Sequence, residues 1–262
     1  MACCLLDPSS SRSLKERLLI LSASEIFFYC TFASDAWSIM PPDFELDVSD
    51  YDRILRKGFT SEEVVAGLKE LGSLLREPAE ALVIGEAPLV LRGWKKVCNQ
   101  IELVFTEDSA LESFIDALQQ AEYEETLYMR YKKYLTFDLY LKSFSEYIVS
   151  QQMLDRAFPT ELGRLKADIA SPEDIILLNS SSLRDSDYMD IRLLLNKIKP
   201  DWDVIVSELD RQVNQLDACD YSAIMLLATV NDLRRRKYRV PDHIPGEIVR
   251  TIQRIPESFA EA

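Results

Sequence analysis

Three side chains have the types and spacing for phosphoryl-transfer chemistry. In Gln100-Ile101-Glu102-Leu103-Val104-Phe105 the pattern alternates. As a strand it turns Ile101, Leu103 and Phe105 one way, while Gln100 and Glu102 share the opposite face about 7 Å apart. A later run, Lys133 to Leu141, puts Leu135, Phe137, Leu139 and Leu141 on one face and leaves Asp138 on the other with Tyr134, Thr136 and Tyr140. Carboxylates on neighbouring strands can hold the divalent cations that neutralise a reacting phosphate. Glu102 and Asp138 are the candidate metal ligands, for Mg2+, and Gln100, Glu102 and Asp138 form a degenerate carboxylate triad. The amide of Gln100 removes one charge from such a site, and the extra methylene of Glu102 displaces its oxygens. Ahead of them an apolar run ends at Gly85. The amides after that turn could cradle a phosphate, but Glu86 sets a carboxylate where the anion would approach.

Each feature also has a plain structural reading. Gln100 and Glu102 fit the solvated face of an edge strand, Asp138 a polar face among tyrosines, and Gly85 the end of a strand. Arg184, Asp187 and Asp190 suit either substrate orientation or ion pairing three residues apart on a helix. The run Arg234-Arg235-Arg236-Lys237-Tyr238-Arg239 suits a helix C-terminus whose cations complement the macrodipole, or a patch that holds nucleotide or RNA phosphate. His243 reads as a surface residue.

The elements that must position these groups are legible as periodicities. Thr60-Ser61-Glu62-Glu63 predicts a capping box ahead of the stripe Val64, Leu68, Leu71, Leu75, with Pro78 closing that helix. Ala81 to Phe105 reads as strand, Gly turn, short helix, strand. Ser109 and Glu112 predict a second capping box, before Leu111, Phe114, Ile115 and Leu118. From about residue 143 strand signals fade. Ser171-Pro172-Glu173-Asp174 predicts a helix start, and Trp202, Ile205, Leu209, Val213 and Leu216 recur at helical spacing.

Composition bounds the rest. A chain of 262 residues with 47% apolar residues can bury a sizeable core. A formal charge of -14 disfavours nucleic acid and anionic lipid as partners, the Arg234 to Arg239 patch aside. The five cysteines have no metal-ligand spacing and fit a reducing, cytoplasmic location; with a single histidine, His-rich zinc sites and Ser-His or Cys-His pairs are excluded in practice. The apolar run from Leu18 to Ala36 is broken by Glu25 and Asp35, against a membrane span. Residues 1–39 read as an atypical extension, with Met40 as the expected natural start. The expected division is that extension, a domain over 40–160 and a helical region over 161–262.

The order of these motifs resembles the small nucleotidyltransferase-like proteins of bacteria and archaea, including those related to abortive-infection and toxin nucleotidyltransferases. In that family an apolar strand runs into Gly-Gly or Gly-Ser, a short helix follows, the next strand carries Asp-x-Asp, and a third carboxylate lies on a later strand. Gly85, Arg92-Gly93 and the strand from Ile101 to Phe105 match, as does Asp138; Glu86, Gln100 and Glu102 depart. Ser171 to Leu178 and Arg184-x-x-Asp187-x-x-Asp190 continue the likeness. The resemblance implies an α+β fold, a mixed sheet with helices followed by a helical C-terminal region. It implies nucleotide contacts at Gly85, Glu86 and Arg184, and Mg2+ if the protein is active. The leading expectation is a binding or regulatory protein with impaired or lost transferase activity, with a nucleotide or protein partner, in a defence or toxin-antitoxin setting. The alternatives are a divergent transferase that moves a nucleoside monophosphate from NTP-Mg2+ to a protein or RNA hydroxyl, and an unrelated α+β interaction protein.

Overall fold

The structure, a computed structural model, describes residues 58–127, 129–142, 149–182, 184–215 and 220–254. Residues 1–39 and the expected start at Met40 lie outside them.

Helix α1 (Ser61–Leu74) begins at the capping box that its sequence predicts: the Glu63 amide donates to Thr60 Oγ1 at 3.3 Å, and the Thr60 amide donates to Glu63 Oε2 at 2.8 Å. Strand β1 (Ala79–Ile84) turns at Gly85 into the short α2 (Ala87–Leu91), then β2 (Ile101–Phe105) and α3 (Asp108–Gln120). The hairpin β3 (Glu124–Leu127) and β4 (Arg130–Lys132) leads to β5 (Thr136–Leu141), and α4 (Gln151–Arg156) leads to a second hairpin, β6 (Glu161–Leu162) and β7 (Leu165–Ile169). Helices α5 (Pro172–Ser180), α6 (Asp185–Lys197), α7 (Trp202–Gln215), α8 (Asp220–Arg235) and α9 (Ile244–Arg254) follow.

All seven strands form one mixed sheet in the order β3-β4-β5-β2-β1-β7-β6. Strand β2 runs parallel to β5 and antiparallel to β1, which is itself parallel to β7. Alternation decides what the sheet covers. Ile101, Leu103, Phe105, Phe137, Leu139, Ala81, Val83 and Ala167 share one face and, with Val64, Leu68 and Leu71 of α1 and Phe114 and Leu118 of α3, make the core. Phe114 stacks edge-on to Phe137 at 5.9 Å between ring centroids, and each such buried aromatic or leucine contributes about 1.5–3 kcal/mol. Gly72 lets α1 lie against the β6–β7 turn, because a Cβ there would run into the Leu162 carbonyl. The opposite face of the sheet carries the polar residues, including Glu102 and Asp138.

Three expectations are corrected. Strands do not end near 143: β6 and β7 lie within the region read as purely helical, and β7 pairs with β1 near the middle of the sheet. Its five residues, Leu165-Lys166-Ala167-Asp168-Ile169, alternate, but the run is too short for periodicity to separate it from a loop. The β3–β4 hairpin is rich in charged residues and was likewise not marked by its sequence. The Ser109 capping box does not form, since α3 starts at Asp108 with Glu107 at its N-cap, which places Ser109 inside the first turn. At α5 the prediction matches: Ser171 Oγ accepts from the Asp174 amide at 3.1 Å, and Pro172 opens the helix.

The chain divides into two compact parts between Glu208 and Leu209, within α7. In the second part α8 and α9 pack together through Ile244 and Ile248, and Asp210 accepts hydrogen bonds from Thr251 Oγ1 at 3.0 Å and Arg254 at 2.8 Å. The basic run closes α8, with Arg235 and Arg236 paired to Asp232 and Arg234 paired to Asp242, so its cations serve a helix end. No helix among the described residues is long and apolar enough to cross a membrane.

Candidate functional site

Sheet register builds the site. Arg130 on β4, Asp138 on β5, Glu102 on β2 and Ile84 on β1 are successive cross-strand partners, so their side chains rise from one row on the polar face. Glu102 and Asp138 therefore stand on adjacent parallel strands with Cα atoms about 5 Å apart. Both are buried, Glu102 to 2% exposure and Asp138 to 4%. Gln100, immediately before β2, donates from Nε2 to Glu102 Oε1 at 2.7 Å. Gly85 closes the row: its φ is +67°, and a Cβ there would lie 2.8 Å from Glu102 Oε1. The chain thus brings Gly85, Gln100, Glu102 and Asp138 together.

What faces those carboxylates is a pair of guanidinium groups. Arg130 grips Asp138 bidentately, Nε to Oδ1 at 2.5 Å and Nη2 to Oδ2 at 2.6 Å. Arg184, the N-cap of α6, reaches Glu102 Oε1 through Nη2 at 3.3 Å and Asp187 through Nε at 2.8 Å. The helical pairing three residues apart is therefore present, and the same arginine also reaches across to the sheet.

Glu86 lies beside the turn but aims at neither carboxylate. Its Oε1 accepts from the Asn99 amide at 2.5 Å, and its Oε2 pairs with Lys95 Nζ at 2.8 Å. Lys95, almost wholly buried, also meets both oxygens of Asp190 on α6, at 2.8 and 3.1 Å. One ammonium thus serves two carboxylates, a net negative buried cluster that raises the proton affinity of its members. Burial pushes Asp190 up to about 6 against the pull of Lys95, and Glu86 and Asp187 add to the rise. For Lys95 burial pulls the other way, yet Asp190 and Glu86 outweigh it and raise the pKa. Burial also raises Glu102, opposed by Arg184 and by the Gln100 hydrogen bond. Tyr140, next on the polar face of β5, is raised by burial and by the charges of Glu102 and Asp138.

Of the residues expected to touch nucleotide, Gly85 sits at the row, Glu86 is engaged by Lys95, and Arg184 is engaged by Glu102 and Asp187. The sequence reading missed Arg130 and Lys95. Each is one basic residue in a charged stretch, and only the sheet register and the packing of α6 give it a partner.

The donor set does not fit Mg2+ as it stands. Both oxygens of Asp138 are taken by Arg130, Glu102 Oε1 receives two N–H donors, and among the described residues no third acidic ligand converges with this pair. Mg2+ requires close octahedral oxygen ligation, and two guanidinium groups already supply the positive charge that it would bring. No step is routed through the metal. Comparison with protein-family models, curated proteins and solved structures finds no match to this chain.

Proposed function

We propose that the chain keeps a nucleotidyltransferase-like scaffold whose transfer chemistry is impaired or lost, and that it acts by binding, as a regulatory or partner protein of the cytoplasm. The scaffold part of this reading draws support from the order strand, Gly turn, short helix, strand, and from Glu102 and Asp138 standing side by side. The observation that carries the loss of chemistry is the bidentate Arg130–Asp138 pair beside Arg184–Glu102. Phosphoryl transfer needs mobile, exchangeable cations on such carboxylates, and a resident guanidinium can neither coordinate a phosphate oxygen and carboxylate together nor activate a hydroxyl. With the negative Glu86–Lys95–Asp190 cluster close by, the surroundings oppose a triphosphate and favour a protein partner over a nucleotide.

The test incubates the protein with α-labelled NTPs, Mg2+ or Mn2+ and a cell lysate, with Glu102→Ala and Asp138→Ala alongside. No transfer, and no metal-induced rise in melting temperature, is expected. Labelling of any acceptor that both substitutions abolish overturns the proposal and establishes a working transferase.

A further inference from the structure

We propose that a second site lies at the other end of the same polar sheet face, and that it binds a small aliphatic diamine or polyamine. This inference is independent of the transferase reading. A cleft of about 340 Å³ opens there between β1, β7 and α4, and it includes neither Glu102 nor Asp138. Its polar walls are Glu80, Glu107, Lys142, Asp155, Lys166 and Asp168, two more acids than bases, so it attracts cations and repels phosphates.

Asp168 is the independent indication of a ligand. The residue is 8% exposed, and its Oδ1 has no hydrogen-bond partner. Its Oδ2 meets Lys166 at 3.3 Å, but that lysine is shared with Glu80 at 3.4 Å and is largely in solvent. A buried carboxylate oxygen without a donor is an unusual state. Rotation about χ2 exchanges its two oxygens, so an ammonium entering the cleft can supply the missing donor while Lys166 turns to solvent.

The arrangement of the acids selects the class of cation. No three of the cleft's carboxylates bring their oxygens within 4.8 Å of one another, so the walls offer no metal cage. Instead the acids are spread. Glu80 and Asp168 occupy neighbouring strands one step apart in register, because Glu80 pairs with Lys166 and Leu82 with Asp168. That diagonal is roughly 8 Å between Cα atoms, a separation that a short diamine can span. Leu82 and Leu154 also line the cleft and give its methylenes apolar wall. Lys142 and Lys166 leave room for the charge of a diamine within the cleft's excess of acid.

The test is calorimetric titration of the full chain with putrescine, spermidine and the monoamine butylamine at about 0.15 M salt, where diffuse attraction to an acidic surface is screened. Wild type is compared with Asp168→Asn, an isosteric change whose folding is checked by circular dichroism. Glu62→Gln on exposed α1 is the charge-matched control. Saturable one-to-one binding of a polyamine is expected, weakened about tenfold by Asp168→Asn or by butylamine in place of putrescine, and unchanged by Glu62→Gln; tenfold corresponds to about 1.4 kcal/mol. Should Asp168→Asn fail to fold, Glu107→Gln takes its place with the same expectation. Absence of saturable binding, or equal weakening in the Glu62→Gln control, overturns the proposal.

Discussion

Replacing Lys95 by Met tests the electrostatic account of the site most directly. The substitution keeps the aliphatic stem and removes the one cation between Glu86 and Asp190, whose side chain is 1% exposed. Breaking a buried ion pair by removing one partner costs about 3–5 kcal/mol. For a domain of this size that is a fall in melting temperature of roughly 10 °C, at about 2–4 °C per kcal/mol. The loss should depend on pH. The carboxyl of Asp190 is raised from 3.8 to about 6 in the folded protein, so the folded state holds the proton more tightly than the unfolded one. The stability that this group contributes is fully present below its ordinary pKa and disappears as pH rises through about 6. Without Lys95 the pKa moves higher still, and the penalty of the substitution should be greatest above about pH 7 and shrink towards about pH 5 as Asp190 becomes neutral. Urea unfolding of both proteins across that range measures it. A penalty that is the same at both ends, or a variant that melts with the wild type, would refute the claim that Lys95 neutralises this cluster.

Other consequences are as specific. Removing both guanidinium groups with Arg130→Ala and Arg184→Ala should uncover Glu102 and Asp138 and let Mn2+ raise the melting temperature, by about 2.7 kcal/mol of stability at 100 times its dissociation constant; no response to Mn2+ would show that the arginines do not hold cation positions. Arg130→Ala alone should cost about 1–2 kcal/mol, below the fully buried case because the arginine is partly solvated, measured by urea unfolding. Gly85→Ala forces a side chain into the left-handed region and against Glu102, and should cost about 1–2 kcal/mol or more by thermal melting. Thr60→Ala removes the cap of α1 and should cost about 1 kcal/mol, with Thr60→Ser nearly neutral.

How far the fold could be read from the chain depended on the range of the interaction involved. The two faces of β2 and β5 follow from alternation over five and six residues, and the starts of α1 and α5 follow from caps within four residues. Strand β7 escaped because Ala167 gives a weak apolar signal at the centre of a short run. The β3–β4 hairpin escaped because much of its sequence is charged. At the site the same divide holds. Gln100, Glu102 and Asp138 could be picked out by spacing, whereas Arg130 and Lys95 could not, since their partners lie eight and ninety-five residues away in the chain. Arg184 was singled out for phosphate, and its observed carboxylate partner lies on a strand eighty-two residues earlier.

Helix α6 meets its surroundings through charges of opposite sign: Arg184 offers a cation to an acid of the sheet, and two turns further on Asp190 offers an anion to a lysine near the turn after β1. Sliding the helix by one turn would set Asp187 against Glu102, acid facing acid. The two contacts act like a keyed plug, which seats in one position and is rejected in its neighbours, so the placement of this helix is fixed by polarity as well as by shape.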